Sequence, residues 1–158
     1  MKETTSGIYN ITDQQNITFP VYCDFGSESG VTWTLIQSHS LQNKEVFQRK
    51  AFYLHDMPVN QDAPEWNNYR LSMSRMTSIQ DVSTHWRATC NFPTDGVDYR
   101  DYWRVSINNL NLFQDPGRPN FAFGLSLSTS VEMSVPTAQF WPVTARITHF
   151  IVTVGLAH

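Results

Sequence analysis

Apolar and polar residues alternate along most of the chain with a period of two. In HWRATCNF, every second residue from Trp86 to Phe92 is apolar, and the residues between them are polar. This alternation predicts antiparallel strands that bury one face and expose the other. The segments with this pattern are 19–25, 31–38, 85–92, 99–107, 119–135 and 145–156, and segment 6–25 has the pattern of two strands around a polar turn.

One segment has the spacing of a helix instead. Asp62 and Glu65 stand three residues apart, as in a capping box, and Pro64 falls where a first helical turn tolerates proline. The apolar residues that follow recur at intervals of three and four, at Trp66, Tyr69, Met73 and Met76. We therefore predict one principal helix over about 63–79 that packs on a mainly antiparallel sheet, in a single α+β domain covering 1–158.

The tryptophans divide between predicted core and open positions. Trp33, Trp66 and Trp86 are expected in the core, because each lies on an apolar face of its strand or helix. The pattern leaves Trp103 and Trp141 open. Each is either a core residue or a platform for a ligand, since aromatic side chains are common at recognition sites.

Composition bears on the kind of partner. The chain carries 11 basic and 14 acidic residues, a net charge of −3, and no block of like charges. This balance favours neither a nucleic acid nor an anionic membrane as a partner. No apolar run approaches the roughly 20 residues that a membrane-spanning helix needs.

Motifs for catalysis are missing from the sequence. It contains no serine elbow and no Gly-rich phosphate loop. Cys90 falls on the opposite strand face from His85, so these two residues are a poor nucleophile–base pair. We therefore expect a protein that is not an enzyme.

Metal-binding patterns are weak. Three carboxylates fall within seven residues, at Asp95, Asp98 and Asp101. They are the best candidates for calcium ligands, but their spacing and the intervening Arg100 favour a solvated hairpin turn with local ion pairs. The histidines lack the paired spacing of a zinc site. We expect no cofactor.

Three motifs resemble the opening of fibrinogen C-terminal-like domains. The family begins with Ser-Gly-x-Tyr-x-Ile and continues with Val-Tyr-Cys-Asp and Gly-Trp-Thr-x-x-Gln strands. Here the corresponding stretches are SGIYNI at 6–11, VYCD at 21–24 and WTLIQ at 33–37. The resemblance covers 6–107 and is closest to a divergent invertebrate branch. Residues 108–158 form a divergent β-rich ending without the acidic calcium loop or the second disulfide of the family.

The resemblance implies a secreted protein, in which cysteines pair and sequons carry glycans. The family pairs its Val-Tyr-Cys cysteine with an upstream cysteine, but no cysteine precedes Cys23 here. A Cys23–Cys90 disulfide is one reading, and two buried thiols or partners outside this chain are the others. Asn10 and Asn16 begin Asn-x-Thr sequons, which are glycosylation sites in a secreted chain.

The function implied by the resemblance is extracellular recognition. We expect a lectin-like adhesion module that binds a glycan or a protein surface. The alternative is a structural component of the extracellular matrix that acts by self-assembly. In that case strand 119–135 or strand 145–156 is expected at a sheet edge, where it can pair with another chain.

Overall fold

The computed structural model describes residues 5–98, 102–114 and 149–157. Its strands are β1 Gly7–Thr12, β2 Thr18–Asp24, β3 Val31–Ser40, β4 Asn68–Arg70, β5 His85–Cys90, β6 Tyr102–Ser106 and β7 His149–Ala157. Its α-helices are α1 Lys44–Phe47, α2 Met73–Asp81 and α3 Phe92–Asp95, and a 3-10 turn Leu41–Asn43 precedes α1.

The strands form one antiparallel sheet. Its order is β1-β2-β3-β7-β5-β6. The short strand β4 pairs with residues 37–39 of β3, on the same edge where residues 33 and 34 pair with β2. The long strand β7 therefore lies in the centre, between β3 and β5. This confirms the prediction of a mainly antiparallel fold with few helices. Segment 119–135 lies outside the described residues.

The predicted helix over 63–79 is wrong in its first half. Residues 68–70 form β4, which pairs with 37–39 of β3, and α2 begins at Met73. The would-be capping residue Asp62 instead forms an ion pair with Arg75 at 2.7 Å, and the Glu65 carboxylate accepts a hydrogen bond from Asn60. Pairing with β3 buries Tyr69, so a long-range contact outweighs the local helical signal.

One face of the sheet carries the apolar core. Cys23, Thr34, Val154 and Trp86 lie side by side on four neighbouring strands, so their side chains point to the same face. Helix α2 covers this face with Met76 and Ile79, which join the same buried cluster. The predicted apolar alternation of β2 and β5 produces this core.

The opposite face is buried as well, against expectation. The alternation of 85–92 predicts a solvated face at Arg87 and Thr89, but these residues are only 1% and 2% exposed. Arg87 lies beside Thr153 of β7 and Arg104 of β6. The central strands are therefore covered on both faces, and the second face is polar and aromatic rather than aliphatic.

Burial at the end of β3 creates a group that responds to acid. His39 is 4% exposed, and its ring stacks on Phe47 with the ring centroids 4.6 Å apart. Burial, together with the neighbouring His149, lowers the pKa of His39 from 6.5 to about 4. The folded protein therefore holds this imidazole neutral at a pH where the unfolded chain binds a proton.

Stability should consequently fall as the pH drops from 6.5 towards 4. Between pH 7 and pH 5 the free energy of unfolding should fall by about 2 kcal/mol, because in this range His39 gains a proton in the unfolded state but not in the folded state. Urea unfolding across this range should show the loss in the native protein and a much flatter profile in His39→Gln. An unchanged slope in His39→Gln would contradict the assignment.

Candidate recognition groove

The polar face is organised around the buried guanidinium of Arg87. Its Nη2 lies 2.7 Å from Asp24 Oδ2, and its Nη1 lies 3.1 Å from Glu28 Oε2. Nη1 also donates to Ser27 Oγ at 2.8 Å, and Nε donates to Thr153 Oγ1 at 3.0 Å. One side chain of β5 thus fastens the loop after β2 to the central strand β7.

The Asp24 carboxylate of this network is held in the charged form. Burial alone would raise the pKa of Asp24, but hydrogen bonds from Ser27 and Arg87 outweigh it and hold that pKa below its ordinary value. Tyr102 donates to Glu28 Oε1 at 2.5 Å, and burial together with this carboxylate raises the pKa of the Tyr102 phenol. The network is therefore a buried set of paired charges that joins the loop after β2 to β5 and β6.

A row of aromatic rings extends from this support to the surface. The Arg87 guanidinium lies 4.5 Å from the ring centroid of Trp33 and 5.2 Å from that of Phe92. The Trp66 ring lies 5.9 Å from the Phe92 ring and 4.8 Å from the ring of Tyr22, against which it packs edge-on. The rings of Tyr22 and Trp66 are only partly buried.

Tyr22 and Trp66 line a groove of about 370 Å³ between the β1–β2 hairpin and the loop that precedes β4. Ile8 lies at one side of it and is 59% exposed. Glu65 and Asn67 supply its polar groups. Asn67 is fixed from both sides, because its backbone carbonyl accepts from Asn43 and its Oδ1 lies 3.0 Å from Nε2 of His149.

A second groove, of about 360 Å³, lies between the β1–β2 turn and the end of α2. Its lining is mostly aliphatic and hydroxylated, with Asp13 and Gln14 from the turn, and it includes the exposed Val82 and Leu156. No aromatic ring of the described residues lines this groove. The groove at Trp66 is the one that combines partly exposed rings with polar side chains, so it is the better recognition site.

The Cys23–Cys90 disulfide does not form in this sheet. The structure holds both residues as thiols. Cys23 belongs to β2 and Cys90 to β5, and both β3 and β7 lie between them. Three strand spacings amount to about 14 Å, twice the roughly 7 Å between Cα atoms that a disulfide spans. Burial raises the pKa of the Cys23 thiol, which makes it less reactive.

The other predicted site residues are scattered. Asp95 is exposed at the end of α3, Asp98 is partly buried, and Asp101 lies outside the described residues. In the part of the chain that the structure describes, no three potential metal-ligating side chains come together. Asn10 and Asn16 are both exposed on the β1–β2 hairpin, as an acceptor asparagine must be.

Of the two tryptophans whose role the sequence leaves open, the structure describes one. Trp141 lies outside the described residues, and Trp103 packs edge-on against the buried Trp86 with the ring centroids 5.3 Å apart. Trp66, expected in the core, packs against the core cluster as a partly buried ring and also lines the groove. Its place at the groove was missed because the helix was predicted over 63–79, whereas in the structure Trp66 precedes β4.

Comparison with known proteins adds no relative. No family model, no curated protein and no solved structure matches the chain. None of the helices formed by the described residues has the length and hydropathy of a membrane span.

Proposed function

We propose that the chain is an extracellular, non-enzymatic recognition or adhesion module of the fibrinogen-like kind. It binds a glycan or a protein surface through the groove at Trp66. The observation that carries this proposal is the pair of partly exposed rings, Tyr22 and Trp66, set beside Glu65 and Asn67. Flat aromatic faces flanked by a few fixed polar groups are suited to packing against a sugar ring or an apolar side chain.

The support beneath the groove favours binding by a preformed surface. Tyr22 precedes Cys23 and Asp24 on β2, and Asp24 is tied to β5 through Arg87. Trp66 is held at its backbone carbonyl, which accepts a 2.6 Å hydrogen bond from Ser38 Oγ. Rings fixed in this way lose little conformational freedom on binding, and this improves affinity.

Truncating the central ring tests the proposal. In Trp66→Ala, affinity for the ligands that the native protein captures should fall at least about tenfold, as for a buried aromatic anchor. The ligands are found on a glycan array and by pull-down from extracellular material, and affinities are then measured by calorimetry. Tyr9→Ala is the matched control, because Tyr9 is an exposed ring on the opposite face of the same hairpin. Failure of the native protein to capture any ligand would argue against recognition, and undiminished binding by Trp66→Ala would move the site elsewhere.

Self-assembly in an extracellular matrix is the second candidate. Strand β7 cannot support it, because it lies between β3 and β5 rather than at an edge. Strand β1 does favour it, since among the described strands it ends the sheet and it exposes Ile8, Tyr9 and Asn10 in succession. Sedimentation velocity separates the two candidates. A monomer at every concentration argues against assembly.

A further inference from the structure

The charge of the groove is set by one side chain. Glu65 is the only charged residue among those of the described chain that line it. Its Oε1 accepts a 3.0 Å hydrogen bond from Asn60 Nδ2, which is a neutral amide. Within the described residues, no lysine or arginine forms an ion pair with it. A partly buried carboxylate without a cation therefore faces the space that a ligand would occupy.

The neighbouring charges do not cancel that of Glu65. Asp24 and Glu28 are balanced by Arg87 and Arg104 within the support network. The rings of Tyr22 and Trp66 add to the effect of the carboxylate, because the face of an aromatic ring attracts cations. The groove thus offers a carboxylate and two rings to a positive group, and it repels an anionic one.

We infer that the groove selects a carbohydrate that carries free ammonium groups, such as an oligomer of glucosamine. This inference rests on the proposed recognition function and adds the chemical class of the ligand. The sugar ring packs on Trp66, its ammonium group lies against Glu65, and its hydroxyls meet the amide of Asn67. A lysine side chain would use the first two features but would make no use of the exposed amide of Asn67, which His149 already holds in place through Oδ1.

The test compares two sugars with the same backbone, one with free amines and one in which acetylation makes every nitrogen neutral. Calorimetry at mildly acidic pH, where the amines are protonated, measures binding of a glucosamine hexamer and of its fully N-acetylated counterpart. The native protein should bind the charged hexamer at least about fivefold more tightly, a difference typical of a cation against a carboxylate and aromatic rings. Glu65→Gln should abolish this preference, since glutamine keeps the acceptor for Asn60 but removes the charge.

Asp81→Asn is the matched control, because Asp81 is exposed at the end of α2 and lies outside the groove. It removes the same charge and should leave the preference intact. Equal loss in Asp81→Asn and Glu65→Gln would trace the preference to net charge and overturn the inference. Tighter binding of a lysine oligomer than of the glucosamine hexamer would also overturn it. If the native protein binds both hexamers equally, the inference fails while recognition stands, and if it binds no sugar and no protein, both fail.

Discussion

Replacing Arg87 by methionine is expected to lower the free energy of unfolding by about 4 kcal/mol. This is the usual cost of removing one partner of a buried ion pair and leaving the other charge buried. Methionine fills much of the same volume, so the loss reflects charge rather than a cavity. Without the guanidinium, Asp24 is buried with no cation of the described residues against it, and Glu28 keeps only the more distant Arg104 at 3.8 Å. Chemical denaturation monitored by tryptophan fluorescence measures the change, since the guanidinium lies over the ring of Trp33.

Arg104→Met is the control for this experiment. Arg104 lies directly opposite Arg87 on β6, but it is about one-third exposed and lies 3.8 Å from Glu28. Exposed pairs of this kind contribute roughly 0–1 kcal/mol, so this variant should remain close to the native stability. Combining Arg87→Met with Asp24→Asn should recover part of the loss, because the buried charge that has lost its cation is then removed. Equal losses in Arg87→Met and Arg104→Met would show that the buried network does not behave as described.

Replacing Gly155 by alanine should destabilise the protein by about 3 kcal/mol, at the upper end of the cost of overpacking a core. A Cβ at this position would lie 2.6 Å from Cε3 of Trp33 and 2.8 Å from the carbonyl oxygen of Thr32. Trp33 is fully buried, so its ring cannot move aside without disturbing β3 and β7. Glycine is needed here because of this close approach.

Gly26→Ala serves as the comparison in the same denaturation experiment. A Cβ at Gly26 would meet nothing within 4 Å, and the position is exposed in the turn after β2. Its stability should change by less than about 0.5 kcal/mol, as for most surface substitutions. A Gly155→Ala protein as stable as Gly26→Ala would contradict the close packing of Trp33 on β7.

The strands could be predicted from the sequence because each signal is local. Alternation in 19–25, 31–38 and 85–92 reflects contact with one apolar core, and β2, β3 and β5 occupy these segments. The helix over 63–79 could not be excluded locally, because the signal that decides it is the pairing of β4 with β3 across about thirty residues of chain.

The burial of the polar face could not be predicted from local sequence patterns. Asp24, Glu28, Arg87 and Tyr102 come from distant parts of the chain, and each one alone resembles a surface residue in the sequence. Parity along β5 places Arg87 opposite the apolar core correctly, but it does not show that the loop after β2 covers that face. The groove at Trp66 was missed for the same reason, since it depends on where the hairpin and the loop before β4 meet.

The central position of β7 has a consequence for how the protein is made. In the part of the chain that the structure describes, β3 and β5 are joined through β7, residues 149–157, which a ribosome adds more than fifty residues after β5. Until β7 is synthesised, β3 and β5 each have one edge whose backbone groups are not paired with β7. Folds that depend on pairing between distant segments form slowly. The emerging chain therefore exposes aggregation-prone edges during synthesis, and chaperones that shield strand edges should matter more to its yield than to its final stability.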